Sequence, residues 1–288
     1  MLIINDFHNR GMFVNYFLAA DGKTILMALE RDETYGDTDI YVSFLLNDGN
    51  WSAPLNIGHD VNTAGKESTV FLAPDSRTLY FSSEGHNGYG LNDIFMSRRL
   101  DESWTKWSEP QNLGPGINTP DWDAYFSIPA SGEYAYFVSN SNSFGESDIF
   151  RVPLPEALRP RPVVLMSGRV LDAKTQQPIE ADIIVETLKD GKEVAIAHSN
   201  PTTGDYKVSL PAGELYGLHA VAMGYTASDE NIDLLLQDHY EELTRDLQLA
   251  PLEAGQSVNL NNIFFDTGKW DIKSQSFAQL NRVVDLLK

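Results

Sequence analysis

The 288 residues hold 41 acidic against 21 basic side chains, a formal charge of −20, and no cysteine. The charge argues against nucleic acid as a partner, because phosphate binding needs a basic face. The cysteine count excludes disulfides, a thiol nucleophile and cysteine metal sites. No apolar run approaches the ~18 residues of a membrane span, and Met1-Leu2-Ile3-Ile4 is too short for a signal peptide.

Residues 1 to about 151 repeat themselves. Asp39-Ile40-Tyr41, Asp93-Ile94-Phe95 and Asp148-Ile149-Phe150 lie 54 and 55 residues apart. Asp21-Gly22, Asp75-Ser76 and Ser131-Gly132 keep step, as do Asn62-Thr63 with Asn118-Thr119 and Glu67 with Asp123. Trp51-Ser52-Ala53-Pro54 and Trp107-Ser108-Glu109-Pro110 close the first two copies; the third lacks that tail. A period near 50 with several short strands per copy is the signature of propeller blades. Within the second copy, Val70–Ala73, Thr78–Phe81 and Asp93–Met96 read as strands, and Pro74-Asp75-Ser76 as a turn. Gly85, Gly88 and Gly90 are expected to supply positive φ in a long loop. Trp51 and Trp107 are expected to fill the gaps between blades. Three copies, the last incomplete, make an open arc or the C-terminal part of a larger ring, since closed propellers have about four to eight blades.

Residues 152–162 carry four prolines in eleven positions and read as a stiff linker. Residues 163–250 read as an all-β sandwich, with strands at Val164–Leu171, Ala181–Thr187, Val194–His198, Tyr206–Leu210 and Tyr216–Met223. Asp229–Thr244 is ambiguous, and Leu234–Leu243 has the look of a helical turn. In residues 251–288, Val258–Phe265 reads as a strand, Asp266-Thr267-Gly268 as a turn, and Ser274 as the N-cap of a helix. That helix puts Phe277, Leu280, Val283, Val284 and Leu287 on one face. A lone strand and helix leave apolar surface uncovered, so this is the start of a domain.

Three resemblances rest on these motifs. Pro74-Asp75-Ser76, Tyr80-Phe81-Ser82-Ser83, Gly88-Tyr89-Gly90 and Asp93-Ile94-Phe95 resemble the TolB-type, WD-like Pro-Asp propeller repeats; Ala20 and Ala130 replace the proline in copies one and three. Ser167-Gly168-Arg169-Val170-Leu171-Asp172, Thr175, Pro178-Ile179, Gly204-Asp205-Tyr206 and Gly224-Tyr225 resemble the carboxypeptidase regulatory-like (prealbumin-like) domain, which implies a sandwich without an active site. Asn262-Ile263-Phe264-Phe265-Asp266-Thr267-Gly268, Ile272-Lys273 and the following helix resemble the opening of the OmpA-like C-terminal domain. That family holds peptidoglycan through an Asp and an Arg placed beyond the position of Lys288. The three in this order resemble OmpA family envelope proteins of the Bacteroidota, some of them in the type IX secretion apparatus. The resemblance implies the periplasmic face of a Gram-negative outer membrane, with envelope proteins and peptidoglycan as partners.

No catalytic, cofactor-binding or metal residue is assigned. His8, His59, His86, His198, His219 and His239 are scattered, with no His-Glu-x-x-His pattern, and read as loop and surface residues. Gly145-Glu146-Ser147-Asp148-Ile149 lacks the closing glycine of a nucleophile elbow. No Gly-Lys-Ser/Thr follows Gly85–Gly90, which reads as a turn and not a phosphate loop. Asp37-Thr38-Asp39 and Asp121-Trp122-Asp123 offer oxygens to calcium, but read better as turn caps. Asp39, Asp93 and Asp148 are expected to bond loop amides. The expected function is a non-enzymatic envelope scaffold with the propeller as a protein-interaction surface. The alternative is a propeller-bearing hydrolase or peptidase whose catalytic domain is not in this chain.

Overall fold

The computed structural model of the protein describes residues 3–253, 263, 265–273, 276, 280 and 284. The chain is mainly β and divides into two compact units, residues 1–163 and 164–288. Among the described residues no helix is long and apolar enough to cross a membrane.

The first unit is three antiparallel sheets, each a meander. They contain β1 (Asn15–Leu18), β2 (Thr24–Leu29), β3 (Asp39–Phe44) and β4 (Leu55–Asn56); β5 (Glu67–Leu72), β6 (Thr78–Ser83), β7 (Asp93–Arg98) and β8 (Gln111–Asn112); and β9 (Asp123–Ser127), β10 (Tyr134–Ser139) and β11 (Asp148–Pro153). The register repeats: Leu29 pairs with Asp39, Ser83 with Asp93 and Ser139 with Asp148. The short fourth strands follow the Trp-Ser-x-Pro tails, so the third copy, which lacks a tail, stops at three strands.

Alternation along the strands gives each sheet two faces. Leu26, Ile40 and Val42 of the first sheet share a core with Leu79, Phe81, Phe95 and Trp107 of the second. Tyr80, Ile94 and Met96, on the second sheet's other face, share a core with Phe126, Ala135 and Phe137 of the third. Each sheet thus buries on its neighbour the apolar face it cannot bury alone. Trp107 fills the gap between sheets one and two. Trp51, its counterpart, lies on the outer face of the first sheet with Met27 and Tyr41, where Ile4, Val14 and Leu45 pack on them.

The hairpins between the first two strands show why Pro-Asp-Ser recurs in altered form. Asp75 Oδ1 accepts from the Arg77 and Thr78 amides at 3.0 and 2.8 Å, and Asp21 Oδ1 from those of Lys23 and Thr24 at 2.8 and 2.9 Å. The next residue is left-handed in all three copies, Gly22 at φ 69°, Ser76 at 55° and Gly132 at 67°. Gly85, Gly88 and Gly90 do not share this property, contrary to the sequence-based expectation: none has positive φ. They are small because the backbone is crowded. A Cβ would meet Thr63 at Gly85, the Asp93 carboxylate at Gly88, and the Thr119 and Pro120 carbonyls at Gly90.

The proline-bearing segment does not run free as a stiff linker. Pro153 ends β11, Glu156–Leu158 forms a 3₁₀ turn, and Leu154 and Leu158 are buried against the second and third sheets. Tyr80 Oη donates to the Leu158 carbonyl at 2.6 Å, and the Arg161 amide to Asp75 Oδ2 at 3.0 Å.

In the second unit, β12 (Val163–Asp172), β15 (Asp205–Pro211), β18 (Glu241–Thr244) and β19 (Leu247–Leu249) form one sheet, and β13 (Asp182–Thr187), β14 (Glu193–His198), β16 (Leu215–Val221) and β17 (Ser228–Asp233) another. Val164, Met166, Val170 and Tyr206 of the first meet Ile183, Val185, Leu218 and Ile232 of the second in one core. The stretch Leu234–Leu243 is not helical. Residues 234–240 cross over in turns and the rest already belongs to β18, so that β18 and β19 run parallel to β12. Of the C-terminal readings, the turn after Asp266 is present, with a bridge between Phe265 and Ile272 and Gly268 at φ 73°, while residues 258–262 and 264 of the expected strand lie outside the described residues. Leu280 and Val284 are helical. The N-cap at Ser274 and the positions of Phe277, Val283 and Leu287 lie outside the described residues.

These backbone assignments separate two kinds of position. Gly88→Ala is expected to lower the stability of the first unit by about 2 kcal/mol, because the Cβ displaces a buried carboxylate. Ser76→Gly is expected to raise it by up to about 1 kcal/mol by relieving a left-handed L-residue. Chemical denaturation of both variants checks the pair.

Candidate interaction surface

The loops joining the second and third strands of each sheet are closed by the aspartate that opens the third strand. The Tyr35 amide donates to Asp39 Oδ2 at 3.0 Å and the Phe144 amide to Asp148 Oδ2 at 2.7 Å; the Tyr89 amide makes the same bond to Asp93. Two asparagines brace the first two loops. Asn62 Oδ1 accepts from the Ile40 amide at 2.8 Å while its Nδ2 donates to the Ile40 carbonyl at 2.9 Å. Asn118 repeats both bonds on Ile94 at 2.8 Å. Asn56 Nδ2 donates to Asp39 Oδ2 at 2.7 Å and Asn112 Nδ2 to Asp93 Oδ2 at 3.3 Å.

A second set of carboxylates ties neighbouring sheets together. Glu67 Oε2 accepts from the Thr63 amide at 2.8 Å, and its Oε1 from Thr63 Oγ1 and Ser83 Oγ, both at 2.7 Å. Asp123 Oδ2 accepts from the Thr119 amide at 2.6 Å. Across each junction the Glu67 amide donates to the Thr38 carbonyl and the Asp123 amide to the Asn92 carbonyl, both at 2.9 Å. Burial pushes the Asp39 carboxyl up from its ordinary value, with the Tyr35 amide and Asn56 pulling the other way. Glu67 is raised by burial too, against the pull of the Thr63 amide and Ser83.

This network holds one aromatic side chain per repeat out toward solvent. Tyr35, Tyr89 and Phe144 stand four residues before the three aspartates; the tyrosines are 42% and 53% exposed and Phe144 wholly so. The loops lie along one edge of the stacked sheets, because the Asp37 amide donates to the Gly65 carbonyl at 3.0 Å and the Leu91 amide to the Asp121 carbonyl at 3.1 Å. Tyr35 stacks on His59 with centroids 4.0 Å apart. Leu91 is exposed on the same edge, and Trp122 meets Tyr125 edge-on at 5.8 Å. Tyr125 sits at φ 54° on a bulge of β9, and Thr69 at φ 44° on the matching bulge of β5. Asp37, Glu84, Asp121 and Glu146 are exposed among these groups, with Lys66 half-buried beside them. The rim is therefore aromatic and acidic.

The expected roles of Asp39, Asp93 and Asp148 as acceptors of loop amides match these bonds. The aromatic row is absent from the sequence-based expectations, although its signal, a Tyr or Phe four places before each repeated Asp, stands in the sequence. Among the described residues no group of three or more His, Asp or Glu side chains converges as metal ligands. Asp39 and Asp123, weighed above for calcium, are buried and spend an oxygen on loop amides. The expectation of loop and surface histidines fails at His219, which is fully buried on β16. Its Nε2 lies 2.9 Å from Glu186 Oε1 of β13, and its Nδ1 bonds Asp229 Oδ1 of β17. Both carboxylates are buried as well, so this group braces a sheet from within and opens onto no cleft.

No family model matches the sequence, and no curated protein does. Among solved structures, the catechol 1,2-dioxygenase of Acinetobacter sp. ADP1 is 13% identical with a TM-score of 0.26, over 36% of this chain and 59% of that one. The Bacillus anthracis TIE protein is 12% identical with a TM-score of 0.26, over 78% of this chain and 41% of that one. The alpha-L-arabinanase of Penicillium chrysogenum is 14% identical with a TM-score of 0.35, over 77% and 76%. The chain thus spans well under two thirds of the first two proteins, and likenesses this slight assign neither fold nor function.

The raised carboxyls give a signed pH dependence. Glu67 holds its proton more tightly folded than unfolded, so its contribution is greatest in acid, falls as pH rises through the ordinary glutamate range to the raised value, and is level above it. Gln at 67 keeps an acceptor for the Thr63 amide, and the hydroxyls of Thr63 and Ser83 can accept from its amide, but it does not titrate. The wild type is expected to gain stability relative to Glu67→Gln as pH falls from about 7 to about 4. Denaturant titrations of both proteins across that range check the sign.

Proposed function

We propose that the chain is a non-enzymatic scaffold of the cell envelope whose repeat unit is an arc of propeller blades with a protein-binding rim. The observation that carries this reading is the regular row of Tyr35, Tyr89 and Phe144 on loops closed by Asp39, Asp93 and Asp148. Such rings offer contact area at little further entropic cost, as binding surfaces require. The surrounding carboxylates favour a cationic polypeptide segment, with Lys or Arg heads over ring faces and beside acids. In this reading the second unit is a prealbumin-like sandwich acting as a spacer. Residues 251–288 are, in the same reading, the opening of an OmpA-like, wall-binding module. The order of the three resemblances supports an envelope location, on the periplasmic face of an outer membrane, with peptidoglycan and envelope proteins as partners.

Two measurements test the reading. Cell fractionation is expected to place the protein in the envelope; recovery in the cytoplasm contradicts the location. A Lys/Arg-bearing peptide is expected to bind the chain more tightly than an acidic peptide of equal length, and less tightly as salt rises. Replacing Tyr35, Tyr89 and Phe144 together by Ala should weaken binding about tenfold or more at unchanged stability. Equal binding by wild type and triple variant contradicts the rim.

A further inference from the structure

The third sheet of the repeat unit has one face covered and one bare. Ile149 of β11 stands where Ile40 stands in β3 and Ile94 in β7. Those two are fully buried beneath the following sheet, whereas Ile149 is 77% exposed. Tyr136 of β10 is exposed at the place where Leu26 and Tyr80 are fully buried. Val138, between them on the pairing of β10 with β11, is half-buried. The cation on this face is partly masked, because the Arg151 guanidinium lies 3.8 Å from the centroid of the Tyr134 ring. The surface is of the kind that the chain twice covers with a sheet of the same repeat.

We propose that this face packs on the same face of a second copy of the chain, forming a two-fold dimer. The interface adds a further sheet-on-sheet contact to those between sheets one and two and between sheets two and three, with like faces meeting where those join unlike ones. A self-facing arrangement is favoured over a head-to-tail one. The complementary outer face of the first sheet, with Met27, Tyr41 and Trp51, is already covered by Ile4, Val14 and Leu45 of its own chain. A face that meets its own copy closes after two protomers. Apolar burial drives the contact, and the charge of −20 on each chain opposes it. Dimerisation therefore strengthens as salt screens the repulsion, the reverse of what a cationic partner at the rim shows. The inference does not rest on the envelope reading.

The test is sedimentation equilibrium of the whole chain over a concentration series at low and high salt. A monomer–dimer equilibrium that tightens with salt is expected. Ile149→Lys should weaken it at least tenfold, since two charges per dimer are then buried without partners. Phe144→Ala, on the rim, should leave it unchanged. Circular dichroism confirms that the variants stay folded, as befits exposed positions. A monomer at every concentration and salt overturns the proposal. So does a dimer that survives both Ile149→Lys and Tyr136→Glu, or one that loosens as salt rises.

Discussion

The repeat unit depends on buried carboxylates that accept backbone amides. A carboxylate taken from water is costly unless hydrogen bonds replace the lost hydration. Asp39 and Asp93 recover part of that cost by closing the loop in front of them, and the half-buried Asp148 makes the same bond. Glu67 and Asp123 do the same at the entry to the following sheet. Part of the crowding follows from this choice. Gly88 has no room for a side chain because the Asp93 carboxylate sits against it, Gly85 is pressed on Thr63, and Gly36 and Gly65 are pressed against neighbouring backbone. The sheets can then stack face on face, and the loops emerge in step along one edge.

Much of this order is legible from spacing alone. The Asp-Ile-aromatic triplets fix the start of each third strand, and the Trp tails mark where a short fourth strand follows. What spacing does not carry is the reason a glycine is small. A glycine demanded by φ and one demanded by a neighbouring chain look alike in sequence, and only the folded loop shows that Gly88 abuts Asp93 while Ser76 is the residue at positive φ. The prolines of 152–162 suggest a free linker, whereas the burial of Leu154 and Leu158 ties that segment to its own unit.

In the second unit the strands with alternating apolar residues were readable, and the crossover was not. The apolar residues between Leu234 and Leu243 fit a helical turn as well as an irregular connection, an ambiguity inherent in short runs. His219 was hidden for a different reason. Its partners Glu186 and Asp229 come from the strands on either side of it, and pairing across strands is invisible until the register is known. The C-terminal helix, its cap and most of its apolar face fall outside the described residues, so the wall-binding reading rests on resemblance.

The claim on which the rest turns is that Asp39, Asp93 and Asp148 hold the three loops rigid, so that their aromatic residues form a fixed row. Native-state hydrogen exchange reads this directly at the amides of Tyr35, Tyr89 and Phe144, the three donors to those carboxylates. The account predicts that all three exchange far more slowly than unstructured peptide, although their side chains face solvent. Exchange at the rate of unstructured peptide would mean that the loops are open in solution and that no fixed aromatic row exists.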